Sequence, residues 1–304
     1  MNKFQNWIFF IILSFIWGSS FMWIKIGVQD VSPITLVTFR ILFGFLGLLI
    51  PIALYRQPIP HDRRTILSYV FMGSINVIAP WLLITWGETR IHSGLASILN
   101  GTQPFFVILI AHYWLHDEKI TLGRVAGLVI GFIGVIVLLS KDLFTTGFHG
   151  DFAGQLAVVV AAASYAVANV FARRFLRNQP PVLQSTMMLF FANLLMLPIG
   201  FGFQYPVKLP SLPITWIAFA WLGLLGSCVA YLLYFRLLNE WGATRASMVT
   251  YALPVVGLLL GIFFLGETLD WRIILGMLLV MSGIMLVNLK PRRQVRVEEL
   301  PIEA

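Results

Sequence analysis

Long apolar runs, separated by short polar turns, occupy almost the whole chain. Their lengths are close to the roughly 20 residues that an α-helix needs to cross a bilayer. Ten membrane spans are predicted, at residues 4–24, 33–55, 65–87, 93–115, 123–139, 152–172, 178–207, 209–235, 246–266 and 273–289. Helices are expected rather than barrel strands, because the runs do not alternate between apolar and polar residues.

The connections between the runs are too short for a soluble domain, and Pro residues such as Pro33 and Pro181 punctuate them. The first run is too long for the apolar region of a signal peptide, so we expect it to remain as a span. The polar residues 291–304 are expected to form a cytoplasmic tail.

Composition and charge agree with a membrane protein. Hydrophobic residues make up 59% of the 304 residues and charged residues 11%, against about 25% charged residues in soluble domains. The net charge is +8, which in a soluble chain would suggest nucleic acid. With the N-terminus inside, 15 Lys and Arg residues fall on the cytoplasmic side and five outside. This bias predicts a multi-pass inner-membrane protein with both termini in the cytoplasm and no nucleic-acid partner.

The chain repeats itself at an offset of about 149 residues. The pairs, in order, are Lys25 and Arg173, Pro33 and Pro181, Ala96-Ser97 and Ala246-Ser247, Pro104 and Pro254, Glu118 and Glu267, Gly127 and Gly276, and Gly134 and Gly283. Five spans in each half place the second half upside down, so residues 1–144 and 145–290 are predicted to form two inverted five-helix repeats. Such halves suit alternating access, which favours a transporter.

Several short segments resemble a known family. They are Trp17–Phe21, Thr38–Arg40, Pro104, Leu115–Thr121 and Phe264–Thr268. In this order they resemble the drug/metabolite transporter superfamily, and specifically the EamA-type permeases. The resemblance implies a secondary transporter with a central cavity that exports amino acids or related small metabolites. A multidrug, nucleoside or sugar permease of the same fold, or a passive channel, is the alternative.

Arg40 is the charged residue that lies deep within a predicted span. A charge in a span is costly and usually faces a cavity or a partner. Arg40 is therefore a candidate to bind a substrate carboxylate through its planar fork. The alternative is a structural ion pair with Glu88, Glu267 or Asp270, near the same surface.

The other candidates are mainly polar or aromatic residues inside the spans. The predicted substrate-binding set is Trp17, Arg40, Asn76, Asn100, Gln103, Tyr165, Asn169, Thr250 and Tyr251, with Pro104 and Pro254 as helix kinks and Glu88 as a candidate gate. Tyr231 and Tyr234 are further polar residues within a span. Amide side chains also join helices as packing contacts, so binding and packing roles both remain open.

Other residues are expected to be structural. Lys25 lies near a span end and is expected to reach the interface. Glu118 and Glu267 are expected to start the fifth and tenth helices. Trp81 is expected to belong to a cavity wall or to an interface belt. His112 and His116 have a metal-like spacing but lack a third ligand. We expect no metal, no cofactor and no enzymatic activity. The predicted partners are the bilayer, a small-molecule substrate and protons. The protein is expected to be a monomer or a weak homodimer.

Overall fold

The computed structural model describes residues 3–55, 59–115, 121–145, 151–177, 179–202, 209–241 and 248–288. Within these ranges the chain forms helices joined by short turns, and no strand is present. The helices are α1 (Lys3–Gly27), α2 (Pro33–Tyr55), α3 (Arg63–Glu88), α4 (Ser93–Trp114), α5 (Leu122–Thr145), α6 (Asp151–Phe175), α7 (Pro181–Gly202), α8 (213–241), α9 (Val249–Leu265) and α10 (Trp271–Asn288).

In the described part of the chain, eight helical segments are long and apolar enough to cross a membrane, namely α1 to α7 and the Pro213–Tyr234 part of α8. The predicted ninth and tenth spans correspond to α9 and α10, which are shorter apolar helices. Large apolar side chains such as Ile11, Leu54 and Phe263 are exposed on the outer surface, as expected where helices face lipid. The chain is therefore an all-helical, multi-pass membrane protein.

Two of the long helices contain a stretch of π-helix, Gly73–Ile78 in α3 and Trp221–Val229 in α8. A glycine lies at or near the start of each stretch, where another helix approaches closely. A Cβ atom on Gly73 would lie 2.9 Å from the carbonyl oxygen of Met188, and one on Gly223 would lie 3.0 Å from that of Arg40. Pi-helical turns often occur at functional sites, because they release backbone carbonyls from the regular ladder.

Helix α4 is interrupted at Gly101 and Thr102, between the segments Ser93–Asn100 and Gln103–Trp114. Pro104, the second residue of the second segment, has no N–H to donate across the break. The hydroxyl of Thr102 donates to the carbonyl of Leu99 at 2.6 Å, so one of the carbonyls at the break is satisfied. Helix α9 instead continues through Pro254.

Helices α5 and α10 pack together through glycines. A Cβ atom on Gly127 would lie 2.6 Å from the carbonyl oxygen of Gly283, and one on Gly134 would lie 3.0 Å from that of Gly276. Contacts this close exclude any larger residue, as in small-residue helix pairs of other membrane proteins.

Asp30, in the turn after α1, holds the start of α8. Its carboxylate accepts hydrogen bonds from the amides of Ser211 at 2.9 Å and Leu212 at 3.0 Å, and from the hydroxyls of Ser211 and Thr215. These bonds, first of all the one from the Ser211 hydroxyl, lower the pKa of Asp30 from 3.8 to about 2. The contact ties two turns that are far apart in sequence.

Candidate functional site

A chamber of about 260 Å³ lies between the helices at the centre of the molecule. Eight of the nine residues predicted to bind substrate line it: Trp17, Arg40, Asn76, Asn100, Gln103, Tyr165, Asn169 and Thr250. The ninth, Tyr251, lines an adjoining cavity of about 350 Å³. The fold therefore brings the predicted set together from α1, α2, α3, α4, α6 and α9.

Arg40 is the charged side chain that lines this chamber among the described residues. It is 8% exposed, and its guanidinium carbon lies 3.8 Å from the centroid of the Trp81 ring. Stacking of this kind stabilises a cation and leaves the edge of the planar fork available. The Nε atom is buried and has no hydrogen-bond partner.

The ion pairs considered for Arg40 are not found. In the described part of the chain, Glu267 instead lies 3.9 Å from Nδ1 of His92, and Glu88 forms no ion pair. Trp81, which the sequence also allowed in an interface belt, is 4% exposed and forms part of the chamber wall. The guanidinium of Arg40 therefore stacks on an aromatic face and forms no ion pair with a described carboxylate.

Two amide side chains of the chamber differ in what they bind. The Nδ2 atom of Asn76, which lies in the π-helical stretch of α3, donates to the sulfur of Met188 at 3.1 Å. The Oδ1 atom of Asn100, at the break in α4, is buried and has no partner. The chamber therefore contains a buried donor on Arg40 and a buried acceptor on Asn100 that both lack partners.

Aromatic side chains close another wall of the chamber. The indole N–H of Trp17 donates to the carbonyl of Gly226 at 3.0 Å, and its ring lies 5.5 Å from that of Tyr234 and 6.1 Å from that of Tyr231. The sequence named both tyrosines among the polar candidates within spans, but did not include them in the predicted substrate-binding set. Their role as wall residues follows from the position of α8 beside α1, which their own spacing does not encode.

Each π-helical stretch is held by a side chain from another helix. Trp17 of α1 binds a carbonyl in the stretch of α8, and Ser164 of α6 donates to the carbonyl of Ile75 in the stretch of α3, at 2.7 Å. Ser164 and Trp17 are 147 residues apart, and Ile75 and Gly226 are 151 apart. The two contacts therefore occupy similar places in the two halves of the chain.

The end of the molecule at which α3 finishes, named here the Glu88 end, is closed by a clamped turn. The turn comprises residues 88–94. The ammonium of Lys25 donates to the carbonyls of Glu88 at 2.6 Å and Ile91 at 2.8 Å. The carboxylate of Glu267 accepts from the amides of Ser93 at 2.6 Å and Gly94 at 2.9 Å. A larger cavity of about 800 Å³, lined by charged residues, lies outside this turn.

These contacts change two expectations. Lys25 binds backbone carbonyls instead of reaching toward the interface. Glu267 does lie at a helix N-terminus, but at that of α4 and not of α10, because the turn after α9 brings it there. A left-handed residue in that turn, Gly266 with φ of 65°, allows the sharp change of direction. Glu118 and His116 lie outside the described residues.

The cavity of about 350 Å³ that adjoins the chamber extends toward the end of the molecule opposite the Glu88 end. It shares Gln103, Asn169, Tyr234 and Thr250 with the chamber and extends to residues including Leu115, Arg124 and Arg173. In the described part of the chain, no cluster of three or more His, Cys, Asp or Glu side chains is placed to hold a metal.

A polar chamber enclosed by apolar membrane helices is typical of a membrane carrier. The EamA-like transporter family matches residues 5–140 and 152–289, and the chain belongs to this family. Its homologues fall within the drug/metabolite transporter superfamily and are named as transporters.

Three relatives extend over nearly the whole chain. The uncharacterized transporter YoaV of Bacillus subtilis is 29% identical, covering 90% of this chain and 93% of its own. The probable amino-acid metabolite efflux pump of Salmonella typhimurium is 25% identical, covering 93% and 95%. The uncharacterized inner membrane transporter YedA of Escherichia coli is 27% identical, covering 92% and 91%. The protein is therefore a multi-pass inner-membrane transporter.

Proposed function

We propose that this transporter exports amino acids or closely related small metabolites by alternating access, and that the central chamber is its substrate site. The observation that carries the proposal is the pair of buried groups without partners, the Nε donor of Arg40 and the Oδ1 acceptor of Asn100. Buried polar groups are normally satisfied within the protein. A ligand that supplies both a carboxylate and an N–H or O–H group would satisfy both.

The other chamber residues take roles that suit such a ligand. Trp17, Tyr165 and Tyr231 provide apolar surface for a side chain, whereas Gln103 and Asn169 provide hydrogen bonds to its polar groups. The volume of about 260 Å³ is below the roughly 300–1,000 Å³ of sites for drug-sized ligands. This size favours a small metabolite over a drug.

Paired contacts support an inverted repeat of ten spans. Gly127 contacts Gly283, and Gly134 contacts Gly276. Because Gly276 and Gly283 are the counterparts of Gly127 and Gly134 at the offset of 149 residues, each contact is the repeat-related copy of the other. Gly73 against Met188 and Gly223 against Arg40 form a second such pair. Two related halves can exchange conformations, which is the basis of alternating access. Export as the direction is supported by the name of the Salmonella relative.

The proposal is tested by exchange of radiolabelled protein amino acids in proteoliposomes. Wild-type protein should exchange at least one amino acid well above empty vesicles. Arg40→Gln should abolish the exchange, because the carboxylate loses its charged donor. The control is Arg63→Gln, an exposed arginine at the start of α3, which should behave as wild type. Exchange of nucleosides, sugars or drugs but not of amino acids would contradict the proposal.

A further inference from the structure

Glu88 is a completely buried carboxyl group that the proposed substrate site does not use. It is 0% exposed, and neither of its side-chain oxygens has a hydrogen-bond partner in the described part of the chain. The preceding residue, Gly87, packs so tightly on α6 that a Cβ atom there would lie 2.8 Å from the carbonyl oxygen of Gly154. An ionised carboxylate without a partner is strongly disfavoured in such a place, whereas the neutral acid is tolerated.

The charged groups around Glu88 are engaged elsewhere. Those on the elements packed around it, or at the same end, are Lys25 on α1, Asp30 in the turn after α1, Arg40 on α2, Arg90 and His92 in the clamped turn, Asp151 on α6, Glu267 and Asp270 between α9 and α10, and Arg272 on α10. Arg40 stacks on Trp81 and Arg90 on Trp86, while Glu267 binds the amides of Ser93 and Gly94.

Lys25 is the cation that links Glu88 to the closure of this end. Its ammonium donates to the backbone carbonyl of Glu88 itself and to that of Ile91. No ion pair joins it to the Glu88 carboxylate among the described residues. The carboxylate belongs to the same residue as one of the carbonyls that hold the ammonium. An ionised Glu88 would therefore compete directly with those carbonyls for Lys25.

We infer that Glu88 is a proton-binding site whose occupancy controls the opening of the Glu88 end; the inference rests on the proposed transport function, because a carrier must open each end in turn. With the proton bound, Glu88 is neutral and Lys25 holds the clamped turn closed. Release of the proton to water leaves a carboxylate, which draws Lys25 away from the two carbonyls. The turn then loosens, and the chamber opens at this end.

Hydrogen–deuterium exchange of the full-length protein in lipid nanodiscs tests the inference without any substrate. The measured quantity is the exchange of the peptide that covers residues 88–94 between about pH 6 and pH 9, after correction for the intrinsic rate. If opening releases one proton, the corrected exchange should rise by up to about tenfold per pH unit. Glu88→Gln, which cannot release a proton, should remain protected throughout the range.

Two further variants make the result specific. Glu240→Gln changes an exposed carboxylate near the end of α8 and should keep the pH dependence of the wild type. Lys25→Met removes the clamp and should exchange rapidly at every pH. A wild-type exchange that does not depend on pH, or a Glu88→Gln protein that keeps the wild-type slope, would overturn the inference. If the wild-type protein shows the expected pH dependence of deuterium exchange but transports no amino acid in proteoliposomes, the transport proposal would be overturned instead.

Discussion

Asn100 and Asn193 represent the two roles that the sequence left open for amides within spans. The Oδ1 atoms of both residues are buried without a partner, but Asn100 lines the chamber and Asn193 does not. The Nδ2 atom of Asn193 donates to the carbonyls of Ile41 at 3.2 Å and Leu189 at 3.0 Å, and so joins α7 to α2. The same type of side chain therefore serves as a binding candidate in one helix and as a packing contact in another.

This difference predicts opposite effects for two matched substitutions. Asn193→Ala should lower the free energy of unfolding by about 1 kcal/mol, because it removes hydrogen bonds that the structure makes. Asn100→Ala should leave the melting temperature in detergent near that of the wild type but weaken the binding of exchanged amino acids severalfold. Thermal unfolding and the concentration dependence of exchange measure the two effects. A melting temperature that falls equally for both would make Asn100 a packing residue.

The hydrogen bonds to the Asp30 carboxylate should contribute to the free energy of unfolding in a pH-dependent way. Its folded pKa of about 2 is below the ordinary 3.8, so the folded state binds the proton less well than the unfolded state. The contribution is complete above the unfolded pKa and is lost as the pH falls toward the folded one. Asp30→Asn should therefore lower the melting temperature at about pH 6, and the difference from wild type should shrink between about pH 4 and pH 2. A difference that is independent of pH would argue against this ionised cap.

At the scale of elements, the π-helical stretches form where glycines let helices approach closely. A Cβ atom on Gly223 would clash with the Cβ of Phe43 and would lie 3.0 Å from the carbonyl oxygen of Arg40. The backbone of Arg40 therefore packs directly against the π-helical stretch of α8. Because α2 carries both the contact and the chamber cation, a change in the π-helical stretch of α8 would also displace the candidate site.

Gly223→Ala should consequently lower both the melting temperature and the amino-acid exchange. Alanine normally stabilises a helix by about 0.5–1 kcal/mol relative to glycine, so a loss requires a steric cost larger than this gain. Gly202 at the end of α7 provides the control, because a Cβ atom there would meet nothing within 4 Å. Gly202→Ala should be neutral or slightly stabilising. A Gly223→Ala protein with unchanged stability and exchange would show that the close approach does not constrain α2.

At the scale of the whole molecule, the sequence predicts the helices and most of the chamber lining, but not the contacts that shape the chamber. Arg40, Asn76 and Asn100 can be recognised because polar groups are conspicuous in apolar spans. Neither the π-helical stretches nor the contact of Glu267 with Ser93 can be read locally. The latter joins residues 174 apart in sequence, and it depends on how α9 and α4 pack.

The orientation of the whole molecule in the membrane supplies the last prediction. The distribution of Lys and Arg predicts that the Glu88 end lies outside. The single cysteine, Cys228, is buried, so a Cys228→Ala protein provides a background for new cysteines. Gln29 and Arg63 are exposed at opposite ends of the molecule. In spheroplasts, a membrane-impermeant maleimide should label Gln29→Cys directly and Arg63→Cys only after the membrane is opened.

The reverse labelling pattern would have consequences beyond topology. It would place most basic turns outside, against the charge rule. It would also turn the proton switch at Glu88 toward the cytoplasm, where the pH differs from that outside. The end from which Glu88 exchanges its proton determines which side of the membrane controls the opening of the chamber. The labelling result therefore decides whether external or internal pH should govern transport.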